Sequence, residues 1–246
     1  MRVVARFSHD LQPTAQAALL PLPPDRKLTM VMDRTTWYYG QTPRNLFVLG
    51  VALSSVVLPH QGNSCPAAQI LLVAQLLKML PAKRWAALIA DRELVGKAWC
   101  TYLCWRGVKR CFWIEEDTRT DDLLARSQFK DLQPGEVCAV FENAWVYGTW
   151  MRVVVTLSPA GDRVILASDL SVLDTHFTYK KSWGVESTFS TMKACGLGLE
   201  DTHDRSGPTL LGQAMRWGLD TFWTYLDLSK TASPSPGKGK ARNVSC

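Results

Sequence analysis

Continuous apolar runs of strand length constrain the fold of this chain most strongly. Three such runs occupy 28–37, 85–93 and 108–116, and the nearly all-apolar segment 45–59 holds enough residues for two further strands. Runs of this length without alternation indicate strands that are buried on both faces of a sheet. We therefore predict that 45–59 supplies central strands. The runs LTMVMDRTTW and WAALIADRE are predicted to deliver Asp33 and Asp91 at the carboxyl edges of their strands.

Helical patterns alternate with these runs. Segment 66–80 follows the turn signal QGNSC, with Asn63 or Ser64 as the candidate N-cap, and 96–107 ends at a glycine. Segments 179–193 and 209–228 also carry apolar residues at helical spacing.

The sequence pattern changes between 117 and 170, where runs of β-branched and aromatic residues flank the hairpin loop SPAGD. The predicted fold class is thus α/β, a mixed sheet flanked by helices and interrupted by a β-strand-rich insertion at 117–170. Residues 1–27 form a proline-punctuated lead-in, and the tail 229–246 is predicted to be disordered from its composition.

Charge is distributed unevenly along the 246 residues. The formal net charge is +6, but four of the 28 basic residues lie in the acid-free tail, which leaves 24 bases against 22 acids in the body. Any nucleic-acid surface must therefore come from local clustering of bases. With no secretory signal and no apolar run long enough for a membrane span, we expect an intracellular protein with reduced cysteine thiols.

The segment YKKSWGVESTFSTMK places one acid among several bases. On a helix, Tyr179, Ser182, Glu186 and Lys193 fall on one stripe, next to Lys180 and Lys181. A lone carboxylate beside such groups suits a site for a metal and a phosphate. An ordinary amphipathic helix has the same appearance, so both interpretations remain open at this point.

Asp33, Asp91 and Glu186 are far apart in the sequence but are candidates for one metal site. Three carboxylates can hold two Mg²⁺ ions that share phosphate oxygens of a substrate. Spacing alone does not show that they converge. The alternative is that the acids cap or pair locally, Asp33 with Arg34 and Asp91 with Arg92.

Three segments, MDRTTWYYG, IADRELVGKAW and YKKSWGVESTFSTMKACGLGLEDTH, together resemble bacterial insertion-sequence transposases of the DDE class. The closest group is the insertion-sequence-four family with its YREK signature, and the resemblance runs from about residue 22 to 225. It implies an RNase H-like catalytic domain over 28–228 in which Asp33, Asp91 and Glu186 bind two Mg²⁺ or Mn²⁺ ions. It also implies cleavage and strand transfer of transposon-end DNA by a homodimer, with a cytoplasmic, nucleoid-associated location and no membrane.

The same resemblance supplies the candidate DNA contacts. Tyr179 and Lys193 match the outer residues of the signature, and Trp145 and Trp150 in the insertion are candidates to stack on a base flipped from the cleaved end. Ordinary sheet packing is the alternative for the two tryptophans. The full set of predicted DNA-binding residues is Arg92, Trp145, Trp150, Tyr179, Lys180, Lys181, Ser182 and Lys193.

Three features depart from the family pattern. Ser182 stands at the arginine position of the signature, only 32 residues precede Asp33, and Glu115 and Glu116 replace bases. Losing an arginine–phosphate hydrogen bond costs about 1.5–3 kcal/mol. The alternative function is therefore a truncated remnant that binds DNA or a full-length transposase without cleaving.

Overall fold

The computed structural model describes residues 22–39, 42–52, 54–61, 65–128, 137–157 and 162–181, together with positions 16, 19 and 20. The predictions for Ser182, Glu186, Lys193, the helix 209–228 and the tail 229–246 lie outside these residues. In the described part, no helix combines the length and the apolar character needed to cross a membrane.

The first half of the chain builds five strands of one sheet. The strands β1 (Leu28–Tyr39), β2 (Thr42–Val51) and β3 (Ser54–Gln61) form an antiparallel meander. The strand β4 (Trp85–Ala90) pairs in parallel with β1, and β5 (Arg110–Ile114) pairs in parallel with β4.

The predicted β-rich insertion extends the same sheet. The strands β8 (Val137–Val146), β9 (Thr149–Leu157) and β10 (Arg163–Ser168) are antiparallel to one another, and β10 also pairs with β5. The eight-stranded order is β3-β2-β1-β4-β5-β10-β9-β8. A separate small hairpin consists of β6 (Arg119–Thr120) and β7 (Leu123–Leu124). The predicted α/β class, with a mixed sheet, is confirmed.

Helices cover both faces of the sheet. The helices α1 (Pro66–Met79) and α2 (Lys97–Trp105) contribute to one core with Met30, Met32 and Phe112. The helix α3 (Val172–Lys180) lies on the opposite face, where Tyr179 packs against the cluster that contains Val31, Ile89 and Cys111. Because both faces are covered, the consecutive residues 28–32 of β1 and 87–90 of β4 are all buried, which explains their unbroken apolar pattern.

Several predicted element boundaries are confirmed within two to three residues, but one cap is wrong. The helix predicted at 66–80 is α1, yet its N-cap is Cys65, which makes no side-chain capping bond, not Asn63 or Ser64. Proline at the first helical position suits the start of a helix because its missing N–H would be unsatisfied there anyway. The helix α2 ends just before Gly107, whose φ of +67° suits glycine.

Two positional predictions are corrected by the sheet. β1 does not end near Asp33, because it continues to Tyr39 as an antiparallel partner of β2. The strands β2 and β3 are not central, since β3 is an edge strand and β2 lies next to it. The meander takes them outward, away from the parallel strands.

The predicted helix 179–193 begins where the observed α3 ends. α3 starts after Ser171, whose hydroxyl accepts a hydrogen bond from the Asp174 backbone N–H at 3.2 Å and donates one to the Asp174 carboxylate at 2.7 Å. The sequence SVLD is a capping motif that signals this start. Tyr179, Lys180 and Lys181 therefore close a helix; they do not form the first turn of one.

Candidate active site

Asp33 and Asp91 occupy matching positions on neighbouring parallel strands. Met32 pairs with Ala90 at the end of the β1–β4 ladder, and the two aspartates are the next residues on each strand. Asp91 keeps an extended backbone, with φ −75° and ψ 163°. Since side chains alternate along a strand, this register puts both side chains on the α3 face, on strands whose backbones lie about 5 Å apart. The structure thus brings together two of the three predicted acids, and their catalytic role stays a prediction.

Each aspartate is oriented by the backbone that follows it. The Asp33 Oδ1 atom accepts a hydrogen bond from the Arg34 N–H at 2.6 Å, and the Asp91 Oδ1 atom accepts one from the Arg92 N–H at 2.7 Å. Asp91 also caps a short 3₁₀ turn, Arg92–Leu94. The two carboxylates are therefore oriented by the same type of hydrogen bond, from the backbone N–H of the next residue.

The guanidinium groups that follow the aspartates pair with glutamates. Arg34 forms an ion pair with Glu93, and the Arg92 Nε atom lies 3.6 Å from a carboxylate oxygen of Glu115. The local-capping form of the alternative is therefore found at Asp91, whose carboxylate caps the turn that Arg92 begins. The contact that each arginine makes to its preceding aspartate runs through the backbone N–H.

An aromatic cluster lies beside Asp91. Because Ala90 pairs with Phe112, Trp113 on β5 stands next to Asp91 on the same face. The guanidinium carbon of Arg92 is 4.9 Å from the Trp113 ring centroid, and the Tyr179 ring meets Trp113 edge-on at 6.2 Å. Two of the predicted DNA contacts, Arg92 and Tyr179, are thus gathered around Trp113, a residue that the sequence analysis did not single out.

The lysines at the end of α3 do not converge on the carboxylates. The Lys181 Nζ atom donates to the Thr29 hydroxyl at 3.4 Å, and Thr29 precedes Asp33 by four residues, about 13 Å along the strand. Lys180 is exposed. Their contact with DNA stays a prediction.

Trp145 and Trp150 form a cross-strand pair at the other end of the sheet. They are directly opposite in the β8–β9 hairpin, with ring centroids 5.2 Å apart and exposures of 46% and 58%. Trp150 is on β9, three strands across the sheet from Asp91 on β4. It is also four residues along β9 from the position that lies across the sheet from Asp91, so the two residues are roughly 20 Å apart. The structure therefore does not bring this pair to the aspartates, and its stacking on a flipped base stays a prediction. The pair is also not buried sheet packing.

Glu115 and Glu116, the two acids noted above as departures from the family pattern, both lie close to arginines. Glu115 is close to Arg92, and the Glu116 carboxylate lies 3.7 Å from Arg163. These contacts reduce the net negative charge that a DNA backbone would meet.

A buried ion pair near this region escaped the sequence analysis. Arg110, with 2% of its side chain exposed, binds both carboxylate oxygens of Asp169 at 2.7 Å and also donates to Thr149 and to the Cys100 carbonyl. Burial alone would lower the pKa of Arg110, but the hydrogen bond and charge of Asp169 raise it, so the guanidinium remains charged. An arginine within the apolar run VKRCFWI was the available signal.

The donors in the described residues suit a hard divalent cation only in part. Across the described ranges, no group of three or more histidine, cysteine or acidic side chains is arranged to hold a metal. The Asp33–Asp91 pair nevertheless offers carboxylate oxygens, and Mg²⁺ is commonly bound through one or two carboxylates plus substrate phosphates. The described residues therefore offer two of the ligands that such an ion would need, and its binding here stays a prediction.

The fold and site define an α/β protein with a mixed eight-stranded sheet and an aspartate pair on two of its parallel strands. Neither protein-family models nor curated protein sequences match the chain. Among solved structures, it is similar to an endonuclease V from Bacillus subtilis, at 12% sequence identity and a TM-score of 0.33, over 68% of this chain and 79% of that one. This likeness is too distant to support an argument about function.

Proposed function

We propose that this protein is a metal-dependent enzyme of the DDE transposase type that cuts and joins DNA phosphodiesters. The observation that carries the proposal is the matched position of Asp33 and Asp91 on adjacent parallel strands. Two carboxylates on one face of a sheet can share hard divalent ions with a phosphodiester.

The strand order supports an RNase H-like core within this proposal. A three-stranded antiparallel meander is followed by two strands parallel to β1, in the order β3-β2-β1-β4-β5. This is the arrangement expected of an RNase H-like sheet, with the acids on its first and fourth strands. The β-rich stretch that follows β5 matches the insertion that the sequence resemblance implies.

Glu186 is the proposed third acid. It follows Lys181 by five residues, a length of chain that spans at most about 17 Å. Lys181 contacts Thr29 on β1, on the same face as Asp33. The connecting chain is therefore long enough for Glu186 to reach the aspartates, and the proposal requires that it does so.

In the proposed reaction, Asp33, Asp91 and Glu186 would hold two Mg²⁺ or Mn²⁺ ions, which would stabilise negative charge on the attacking and leaving oxygens. Arg92 and Tyr179 bind phosphate oxygens next to the scissile bond and orient the strand, since little covalent chemistry is left to the protein. Lys180, Lys181, Ser182 and Lys193 would contact the DNA farther along, and the active form on DNA is proposed to be a homodimer.

A nicking assay tests this proposal directly. Purified protein with Mn²⁺ is expected to nick supercoiled DNA, and Asp91→Asn is expected to abolish nicking without lowering the melting temperature. The matched control is Asp122→Asn, which removes an exposed acid in the turn between β6 and β7. Loss of nicking in both variants, or nicking that persists in Asp91→Asn, would refute the assigned role.

The alternative is a remnant that binds DNA or a full-length transposase but does not cleave. Ser182, in place of the arginine of the signature, favours it because a phosphate contact is lost. Binding of DNA by the wild type with no cleavage in either Mg²⁺ or Mn²⁺ would select this alternative.

A further inference from the structure

Trp113 connects two side chains that the proposed function assigns to DNA. One face of its ring meets the Arg92 guanidinium, with 4.9 Å from the guanidinium carbon to the ring centroid. Its contact with Tyr179 is edge-on, with an interplanar angle of 73°. Trp113 is itself only partly buried and stands on β5 beside Asp91. A single aromatic ring thus contacts both groups next to the aspartate.

Stacking leaves the arginine able to bind a phosphate. A guanidinium that packs its flat face on an aromatic ring keeps its in-plane N–H groups available for bidentate hydrogen bonds. Contact with the ring at 4.9 Å also restricts the Arg92 side chain to fewer rotamers, so less entropy is lost when a phosphate binds.

The present partner of Arg92 is weakly held. The Arg92–Glu115 separation of 3.6 Å is longer than a hydrogen bond, and the two side chains are 48% and 51% exposed. Exposed ion pairs of this kind are readily exchanged, because both charges are well solvated. A phosphate carries a formal charge similar to that of Glu115 and matches the guanidinium fork better.

We propose that Trp113 is a positioning residue that holds Arg92 ready for a DNA phosphate next to Asp91, and that Glu115 occupies Arg92 until DNA replaces it. This inference rests on the proposed function, because it assumes a DNA substrate at this end of the sheet. Trp113 acts through Arg92 and does not itself contact the reacting atoms. Glu115 lowers the affinity for DNA by competing for the same guanidinium.

A double-mutant cycle on Trp113 and Arg92 tests the inference. The full chain is titrated against a fluorescein-labelled DNA duplex in Ca²⁺, over several KCl concentrations. We expect Arg92→Ala to weaken binding about tenfold or more and to reduce the salt slope by about one. Trp113→Leu should weaken binding about two- to fivefold, and Trp113→Phe should restore most of it. In the Arg92→Ala background, Trp113→Leu should have no further effect.

Glu115→Gln provides a second test that leaves the aromatic cluster intact. It should tighten DNA binding about threefold, because it removes the competing charge. The matched control, Glu116→Gln, removes the neighbouring acid that pairs with Arg163 and should change affinity less. If Trp113→Leu fails to fold, this pair of variants still tests the competition by Glu115, and Trp113→Phe still tests the positioning of Arg92.

The possible results separate this inference from the proposed function. If the wild type binds DNA and the effects of Trp113→Leu and Arg92→Ala multiply in the double variant, Trp113 does not act through Arg92 and the inference fails alone. If Glu115→Gln binds DNA with the same affinity as the wild type, Glu115 does not compete for Arg92, and that part of the inference is refuted. If the folded wild type neither binds nor cleaves DNA, the proposed function fails and the inference falls with it.

Discussion

Arg110 and Asp169 form a two-point ion pair that joins the start of β5 to the residue after β10. Both Asp169 oxygens accept hydrogen bonds from the guanidinium at 2.7 Å, and the Asp169 carboxylate also accepts one from the Arg110 backbone N–H at 2.8 Å. The pair therefore anchors the strands of the insertion to the parallel strand β5, next to the beginning of α3.

Removing the carboxylate charge at this pair should destabilise the fold strongly. Asp169→Asn leaves a buried guanidinium without its counter-charge, and breaking a buried pair in this way costs about 3–5 kcal/mol. Because Asp169 is partly exposed, we expect a loss near 3 kcal/mol in the free energy of unfolding, measured by urea denaturation. The control Glu142→Gln breaks the exposed pair with Arg152 and should cost under about 1 kcal/mol. Equal losses in the two variants would contradict this assignment.

Divalent cations should stabilise the protein through Asp33 and Asp91. Two carboxylates at adjacent positions repel each other, and an ion that binds the folded state raises its stability. Millimolar Mg²⁺ or Mn²⁺ is expected to raise the melting temperature of the wild type in differential scanning fluorimetry, and this increase should be absent in Asp91→Asn. A similar increase in Asp91→Asn would place the bound ion elsewhere, and Asp122→Asn serves as the matched control.

The described cysteines should differ sharply in reactivity. Burial raises the pKa of Cys100 to about 11 and that of Cys111 to about 12, and the Cys111 thiol also contacts the Thr175 carbonyl at 3.6 Å. At pH 8 the thiolate fraction of Cys100 is then about one in a thousand, and that of Cys111 is lower still.

Iodoacetamide at pH 8, followed by peptide mass spectrometry, tests this difference. Cys65 and Cys104 are exposed and should be alkylated in the native protein, whereas Cys100 and Cys111 should react only after unfolding. Raising the pH toward 10 increases the thiolate fraction of Cys100 roughly a hundredfold, so labelling of Cys100 should rise with pH and should stay ahead of that of Cys111. Rapid native labelling of Cys111 would show that α3 does not cover β5 as described.

The capping motif of α3 should contribute measurably to stability. Ser171→Ala removes the hydroxyl that accepts the Asp174 N–H and should cost about 1 kcal/mol in the free energy of unfolding. Ser171→Thr keeps a hydroxyl at the cap and should retain most of that stability. Because Tyr179 lies near the other end of α3, Ser171→Ala should also alter the environment of Trp113, as followed by near-ultraviolet circular dichroism. If Ser171→Ala leaves the free energy of unfolding unchanged, the cap is not formed in solution.

Local patterns predicted most of the elements in the described ranges. The helices at 66–79 and 97–105, the strand 85–90 and the hairpin between β9 and β10 follow from apolar periodicity, prolines and glycines, which act over a few residues. The start of α3 was equally local, since SVLD encodes its cap, but the prediction placed the helix on the basic segment that follows.

Contacts that depend on distant partners were not predictable in the same way. β1 runs on to Tyr39 because β2 provides an antiparallel partner beyond Asp33, and nothing in the residues around Asp33 specifies that pairing. The stack of Arg92 on Trp113 and the distance of Trp145 and Trp150 from the aspartates likewise depend on strand order.

The sequence by itself determined that apolar strands would carry Asp33 and Asp91, since burial on both faces requires such runs and acids mark where they are interrupted. Only the tertiary structure decided that the two residues stand side by side. That outcome requires β1 and β4 to pair in parallel with Met32 opposite Ala90. Register between strands so distant in the chain is selected by the packing of the whole sheet against its helices, because a shift of one residue would turn every buried side chain of a strand to the opposite face.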